Sequence, residues 1–159
     1  MTVLLRIEPR WTDFDPVGHV NNSVYLVYAE EARARLLRTT LTGTWPSLVV
    51  VHNGIDYHHP AEQGDELEVS SVVEAIGRTS FTTISVISTA THRCATVRTV
   101  QAVLDESRTA TRPWTDAERT ILDGLLSRAE AQGPNHESHS NSTASVSAPD
   151  TRGGVGVGG

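Results

Sequence analysis

Between Trp11 and Tyr25 the chain reads Trp-Thr-Asp-Phe-Asp-Pro-Val-Gly-His-Val-Asn-Asn-Ser-Val-Tyr. Two carboxylates (Asp13 and Asp15), a histidine (His19) and two asparagines (Asn21 and Asn22) crowd a stretch that Pro16 and Gly18 mark as a turn-rich loop. Ser23–Arg38 follows with neither Gly nor Pro, and the Asn and Ser residues at its start are able to cap a helix, so a helix is expected there. The first turn of a helix leaves backbone N–H groups without partners at the positive end of the dipole. Such a place suits a carbonyl oxygen that is gaining negative charge. A carboxylate just before it can attack the carbonyl carbon or activate water to do so. Together these pieces suffice for acyl transfer to water. Asp15 is the first candidate carboxylate, and Asp13 competes with it from two residues earlier.

The elements that must position this loop follow from periodicity. Val3–Glu8 is a short apolar run with β character. In the helix, Val24, Val27, Tyr28 and Ala32 recur at helical spacing, while Tyr25, Leu26, Ala29, Leu36 and Leu37 widen the apolar surface almost all round. A helix of that kind is expected to be enclosed by other structure. Leu48–Tyr57 is β-branched, with a bulge or kink expected at Asn53-Gly54. Leu67, Val69, Ser71 and Val73 alternate with Glu66, Glu68 and Ser70, the pattern of a half-buried strand. Short turns lead into Phe81–Thr89 and Cys94–Leu104, so these strands are expected to be antiparallel neighbours. After Pro113, Thr115–Ala131 has helical composition, with Thr115 as cap and Glu118 three residues on. One strand, a long helix and four antiparallel strands predict an α+β domain whose twisted antiparallel sheet wraps one long central helix. Its open edges favour self-association.

Composition narrows the function classes. The chain has 159 residues and a formal net charge of -6, which argues against a broad grip on nucleic acid or anionic membrane. It contains no apolar run of membrane-spanning length. Arg6, Glu8 and Arg10 interrupt the opening segment, so no signal peptide is expected. A single cysteine, Cys94, rules out an internal disulfide and fits a reducing, cytoplasmic compartment. Residues 1–132 are read as one domain. From Gly133 to Gly159 the chain is Gly, Ser, Asn, Thr and Pro with few apolar residues, and is expected to be a disordered tail.

Asp15-Pro-Val-Gly-His-Val-Asn-Asn-Ser-Val-Tyr25 resembles the signature of the 4-hydroxybenzoyl-CoA thioesterase-like branch of the hot-dog superfamily. Ile55-Asp-Tyr-His-His-Pro60, Gly64-Asp-Glu-Leu-Glu68 and Gly77-Arg-Thr-Ser-Phe81 are similar to further blocks of that family, in the same order. The resemblance spans roughly Leu5 to Leu104. It implies a hot-dog fold and an acyl-CoA thioesterase that releases free acid and CoA, with no metal or other cofactor. It further implies a homodimer or homotetramer with the active site at the subunit interface. Asp15 falls on the catalytic aspartate, as nucleophile or general base, and the backbone N–H near Asn22 on the oxyanion donor. His19 falls on the motif histidine, which is proposed to be catalytic in related acyl-carrier-protein thioesterases; the alternative is a structural histidine that holds the loop by hydrogen bonds. Arg78, Thr79 and Ser80 fall where the family contacts CoA, and Tyr25 is expected to shape the acyl pocket. His59 stands where many relatives carry Arg before the Pro, so nucleotide contacts are expected to differ here.

Other readings remain open at this stage. An acyl-carrier-protein thioesterase would want a basic surface ring. A hot-dog hydratase would need a base aimed at a carbon-bound proton. A non-catalytic acyl-CoA-binding module would hold ligand without turnover. Glu30 and Glu31 are reserve carboxylates, more ordinarily solvated or paired with Arg33 or Arg35. His52, His58 and His59 match no metal-ligand spacing, and Cys94 reads as a small buried residue.

Overall fold

In the computed structural model, residues 3–40 and 46–131 are described. The strands are β1 (Val3–Ile7), β2 (Leu48–Tyr57), β3 (Leu67–Ile76), β4 (Ser80–Ser88) and β5 (Arg93–Val103). The helices are α1 (Val24–Thr40) and α2 (Asp116–Ala131). The five strands form one sheet in the order β1-β3-β4-β5-β2. Every neighbouring pair is antiparallel. β3, β4 and β5 follow one another through tight turns and fill the centre, while β1 and β2, which flank α1 in sequence, take opposite edges. The expected tail, residues 133–159, lies outside the described residues.

Two details differ from the sequence reading. The irregularity of β2 falls between Val50 and His52, and Asn53-Gly54 pair regularly with Thr99 and Arg98. Asn53 has no need of a bulge because its side-chain oxygen accepts a hydrogen bond from Thr99 Oγ1 (2.8 Å). Nor is α1 enclosed. It lies against β1, β3, β4 and β5 through Tyr25, Tyr28, Ala29, Ala32, Arg33, Leu36 and Leu37. Val27, Glu30, Glu31, Arg35 and Arg38 occupy the opposite, solvent-facing side. Four of those five positions are charged, and a charged side chain goes to water unless a buried partner meets it. The second helix, with 16 residues against 17 in α1, packs on β3.

The face of the sheet beneath α1 carries two apolar clusters. One gathers Tyr25, Tyr28, Ala29, Ala32, Leu67, Val69, Ile87, Ala95 and Val97 with neighbouring residues. The other gathers Leu36, Leu37, Val73, Phe81, Leu122 and Leu125. Between them along each element runs a buried polar belt: Ser71 on β3, Thr83 and Ser85 on β4, Thr99 and Gln101 on β5, and Arg33 on α1. Ser71 and Ser85 satisfy each other at 2.6 Å, whereas Thr83 Oγ1 and Gln101 Oε1 have no hydrogen-bond partner among the described residues.

The second helix begins with the capping box its sequence suggested. Glu118 N–H donates to Thr115 Oγ1 (3.3 Å), and Thr115 N–H donates to Glu118 Oε2 (2.9 Å). Arg112 adds two parallel hydrogen bonds of 2.7 Å to the same carboxylate. Those bonds, led by the Arg112 pair, bring the Glu118 carboxyl down to about 2. A carboxyl whose folded value lies below its unfolded one stabilises the fold above the unfolded value, and that contribution disappears as pH falls through the folded value. Glu118→Gln is therefore expected to lower stability by about 1–3 kcal/mol at pH 7. In thermal unfolding, the gap between variant and wild type should narrow as pH drops from 4.5 toward 2.

Candidate active site

Asp13 fixes the loop before α1. The residue is 2% exposed, and its carboxylate accepts hydrogen bonds from Tyr28 Oη (2.7 Å), Arg10 Nη2 (2.9 Å) and Arg10 N–H (2.9 Å). Its carbonyl oxygen accepts from Asn21 N–H at 2.8 Å. Burial alone would raise the Asp13 carboxyl, but the Arg10 and Tyr28 hydrogen bonds outweigh it and hold the group below its ordinary value. Burial, and then Asp13 itself, push the Tyr28 hydroxyl the other way. A carboxylate committed on both oxygens and shut away from solvent has no reach toward a ligand. Asp13 is an anchor.

Asp15 is placed differently. The chain folds back after it: Asp15 N–H donates to the His19 carbonyl (2.8 Å), Gly18 N–H donates to the Asp15 carbonyl (3.0 Å), and Phe14 bridges to Val20. Gly18 takes φ +89°, a left-handed conformation that side chains other than glycine strain to adopt. Inside this turn Asp15 Oδ1 accepts from Val17 N–H (2.9 Å) and His19 N–H (3.1 Å), which leaves Oδ2 without a donor among the described residues. The loop is pinned to the sheet side by Val20 N–H on the Ala61 carbonyl (2.9 Å) and by a bridge between His19 and Glu62.

At the helix start, Asn21 Oδ1 accepts from Ser23 N–H (3.0 Å) and Ser23 Oγ (2.8 Å). The Asn22 carbonyl accepts from Tyr57 Oη (2.9 Å), which ties the end of β2 to the first turn of α1. The Asn22 N–H meets no acceptor among the described residues. Tyr25 Oη accepts from Ala61 N–H (3.1 Å), and its buried ring sits edge-on to Tyr57, with centroids 5.7 Å apart.

Together these residues enclose an open pocket of about 230 Å³, lined by Asp15, His19, Val20, Asn22, Tyr25, Tyr57, His58, His59 and Pro60. Asp15, His19, Asn22 and Tyr25, singled out in the sequence, thus meet on one surface. Arg78, Thr79 and Ser80 do not join them. They form the β3–β4 turn, where Trp114 N–H donates to the Arg78 carbonyl (3.2 Å) and Val103 N–H to the Thr79 carbonyl (2.9 Å). Ser80 pairs with Ala102, whereas Ile87 pairs with Ala95 beside the pocket. Seven residues of β4 at about 3.3 Å each put the turn some 23 Å away. Tyr57 and Pro60 stand in the sequence only within a later block, and His58 stands there and among histidines without metal-ligand spacing. The signal for their role was that block's alternation, which ends β2 on an aromatic facing the helix start. Glu31 pairs with Arg35 at 3.3 Å on the exposed side of α1, away from this chemistry. No three His, Cys, Asp or Glu residues among those described come together as a metal site. No described helix is long and apolar enough to cross a membrane.

Residues 9–125 match the Thioesterase-like superfamily, and the chain belongs to that family. Among solved structures it is similar to a thioesterase from Thermus thermophilus complexed with coenzyme A and Zn, with 29% identity and a TM-score of 0.71 over 80% of this chain and 96% of that one. A predicted thioesterase from Bacillus stearothermophilus gives 26% identity and a TM-score of 0.72 over 79% and 97%. A 1,4-dihydroxy-2-naphthoyl-CoA thioesterase from Synechocystis shares the fold at 22% identity and a TM-score of 0.69 over 79% and 98%. No curated protein matches the chain.

The different placements of the two aspartates predict different consequences for stability. Tyr28→Phe removes a donor from a buried carboxylate and is expected to cost about 1–3 kcal/mol in chemical denaturation. Asp15→Asn retains an oxygen where Val17 and His19 donate, and is expected to stay within about 1 kcal/mol of wild type.

Proposed function

We propose that the protein hydrolyses an acyl-CoA thioester to a free carboxylic acid and coenzyme A at the Asp15 pocket. The observation that carries this reading is the juxtaposition, on one pocket wall, of a carboxylate held by one oxygen only and the start of α1. With the thioester carbonyl oxygen over that start, the Asn22 N–H and the helix dipole stabilise the charge that develops on it. Asp15 Oδ2 either takes a proton from a water that attacks the carbonyl carbon and passes that proton to the departing sulfur, or attacks the carbon itself and expels CoA as thiolate; water then cleaves the resulting mixed anhydride, which frees the acid and supplies the proton of the CoA thiol. His19 and His59 flank the reacting group, and Tyr25 and Tyr57 supply an apolar wall for the acyl chain. The coenzyme A held by the Thermus thermophilus neighbour supports a CoA ester as the donor. The signature around His19 and the Asn pair favours the 4-hydroxybenzoyl-CoA thioesterase-like branch. The lone buried Cys94 suits a reducing cytoplasm.

The same reading makes the working unit a pair of chains. β2 is an edge strand on which Val49, Val50, Val51 and Tyr57 stand exposed, Val51 by 56%. An unpaired apolar edge is a template for another strand. If β2 pairs antiparallel with its own copy, the Leu48 end of one chain meets the Tyr57 end of the other. Ser80, Ala102 and Val49 lie in one row across β4, β5 and β2. The partner's Arg78–Ser80 turn then comes within three strand spacings, about 14 Å, of the pocket. A CoA chain whose thioester sits at Asp15 can cover that distance.

Release of CoA, followed with a thiol reagent over short, long and aromatic acyl-CoAs, tests the reaction. Wild type is expected to turn over at least one ester, with Asp15→Asn slower by about a hundredfold to ten-thousandfold at unchanged folding. A fully active Asp15→Asn, or a wild type inert on every CoA ester, would overturn the assignment. For the assembly, Val51→Lys buries a charge at the edge and is expected to convert a dimer to monomers in sedimentation velocity, with turnover falling in parallel.

A further inference from the structure

A second cavity, of about 220 Å³, opens against the polar belt, lined by Glu30, Arg33, Ala34, Leu37, Leu48 and Gln101 together with Pro46. Arg33 is 5% exposed, yet no described residue accepts a hydrogen bond from its guanidinium or lies within ion-pair distance of it. Glu30 lines the same cavity from the solvent-facing side of α1 and acts on Arg33 by charge, without a hydrogen bond to the guanidinium. Gln101, at the same cavity, is 8% exposed with its Oε1 unpartnered. A guanidinium cannot escape burial by releasing its proton, and it carries five donors in a fork whose geometry matches a carboxylate. An amide beside it can donate to or accept from the same group. The remaining wall, made by Ala34, Leu37, Pro46 and Leu48, is apolar and suits methylenes.

We propose that this cavity binds a carboxylate at the end of a short aliphatic chain, with Arg33 as its bidentate donor and Gln101 as its second polar contact. Two sources can deliver that chemistry: a free small carboxylate, or the far end of a dicarboxylic acyl group on the thioester. The second source rests on the hydrolysis and pairing described above. Leu48 lines this cavity and Tyr57 lines the Asp15 pocket, at opposite ends of β2. Antiparallel pairing of β2 with its copy sets one chain's Arg33 cavity beside the other chain's Asp15 pocket. The enzyme would then select acyl groups with an acid at both ends.

The test uses the full chain, with glutarate and its diamide as binding probes in calorimetry and glutaryl-CoA and pentanoyl-CoA as a matched pair of esters. Wild type is expected to bind glutarate and not the diamide, and to favour glutaryl-CoA over pentanoyl-CoA by about tenfold or more in kcat/KM. Arg33→Met should abolish glutarate binding and bring the ratio of the two esters close to one. Gln101→Leu should weaken both in the same direction, and it carries the comparison should Arg33→Met fail to fold. Glutarate binding without ester preference assigns the cavity to a free carboxylate. Glutarate binding in a protein that hydrolyses no CoA ester keeps the cavity and removes the hydrolysis. Pentanoyl-CoA turnover with neither glutarate binding nor ester preference removes the cavity and keeps the hydrolysis.

Discussion

The buried carboxylate of Asp13 is the constraint on which the site depends. One side chain holds Arg10 before the loop and Tyr28 on the second turn of α1, and its backbone carbonyl holds Asn21 at the loop's end. Three points along the chain are thereby fixed around a single residue, and the turn that presents Asp15 hangs between them. Placing a charge where solvent cannot reach is costly unless hydrogen bonds replace the lost water, and here they do so on both oxygens. The neighbouring aspartate gains from this arrangement. With the loop held elsewhere, Asp15 needs to give only one oxygen to its turn.

The second constraint lies under the helix. A core that ran apolar from end to end beneath α1 would be the simpler solution. Instead, Ser71, Thr83, Ser85, Thr99, Gln101 and Arg33 interrupt it on β3, β4, β5 and α1. Ser71 with Ser85 and Thr99 with Asn53 satisfy one another, but Arg33, Thr83 and Gln101 leave polar capacity unused inside the protein. Unmet buried polarity destabilises a fold, so its presence beside Arg33 marks that region as shaped for something other than stability.

Much of the scaffold was legible because its signals are local. Alternation in Leu67–Val73 placed β3's buried face. Thr115 and Glu118 announced the start of α2, and the Asn-Asn-Ser sequence announced α1. What remained hidden was non-local. Apolar residues occupy most of the circumference of α1 and suggest enclosure, yet Glu30, Glu31, Arg35 and Arg38 keep one side of the helix in water. Gly weakens strands and so points to a bulge at Asn53-Gly54, but Thr99 on the neighbouring strand holds Asn53, and no periodicity in β2 reveals that. Asp13 and Asp15 look alike in sequence. Arg10, three residues before Asp13, and Tyr28, fifteen residues after it, separate their roles. Tyr57 closing on Asn22 and Arg33 lying unpaired are likewise facts of the folded chain.

Strand order has a further consequence for how the pocket comes into being. The β3-β4-β5 meander closes through neighbours in sequence, whereas the contacts that build the pocket span much longer stretches: Tyr57 to Asn22 across 35 residues and Ala61 to Tyr25 across 36. Loop closure over such lengths costs chain entropy that local turns do not. A chain in which the meander has zipped but the edges have not docked possesses the centre of the sheet and none of the pocket. Functional geometry is therefore a property of the completed topology, and no part of the sheet taken alone contains it.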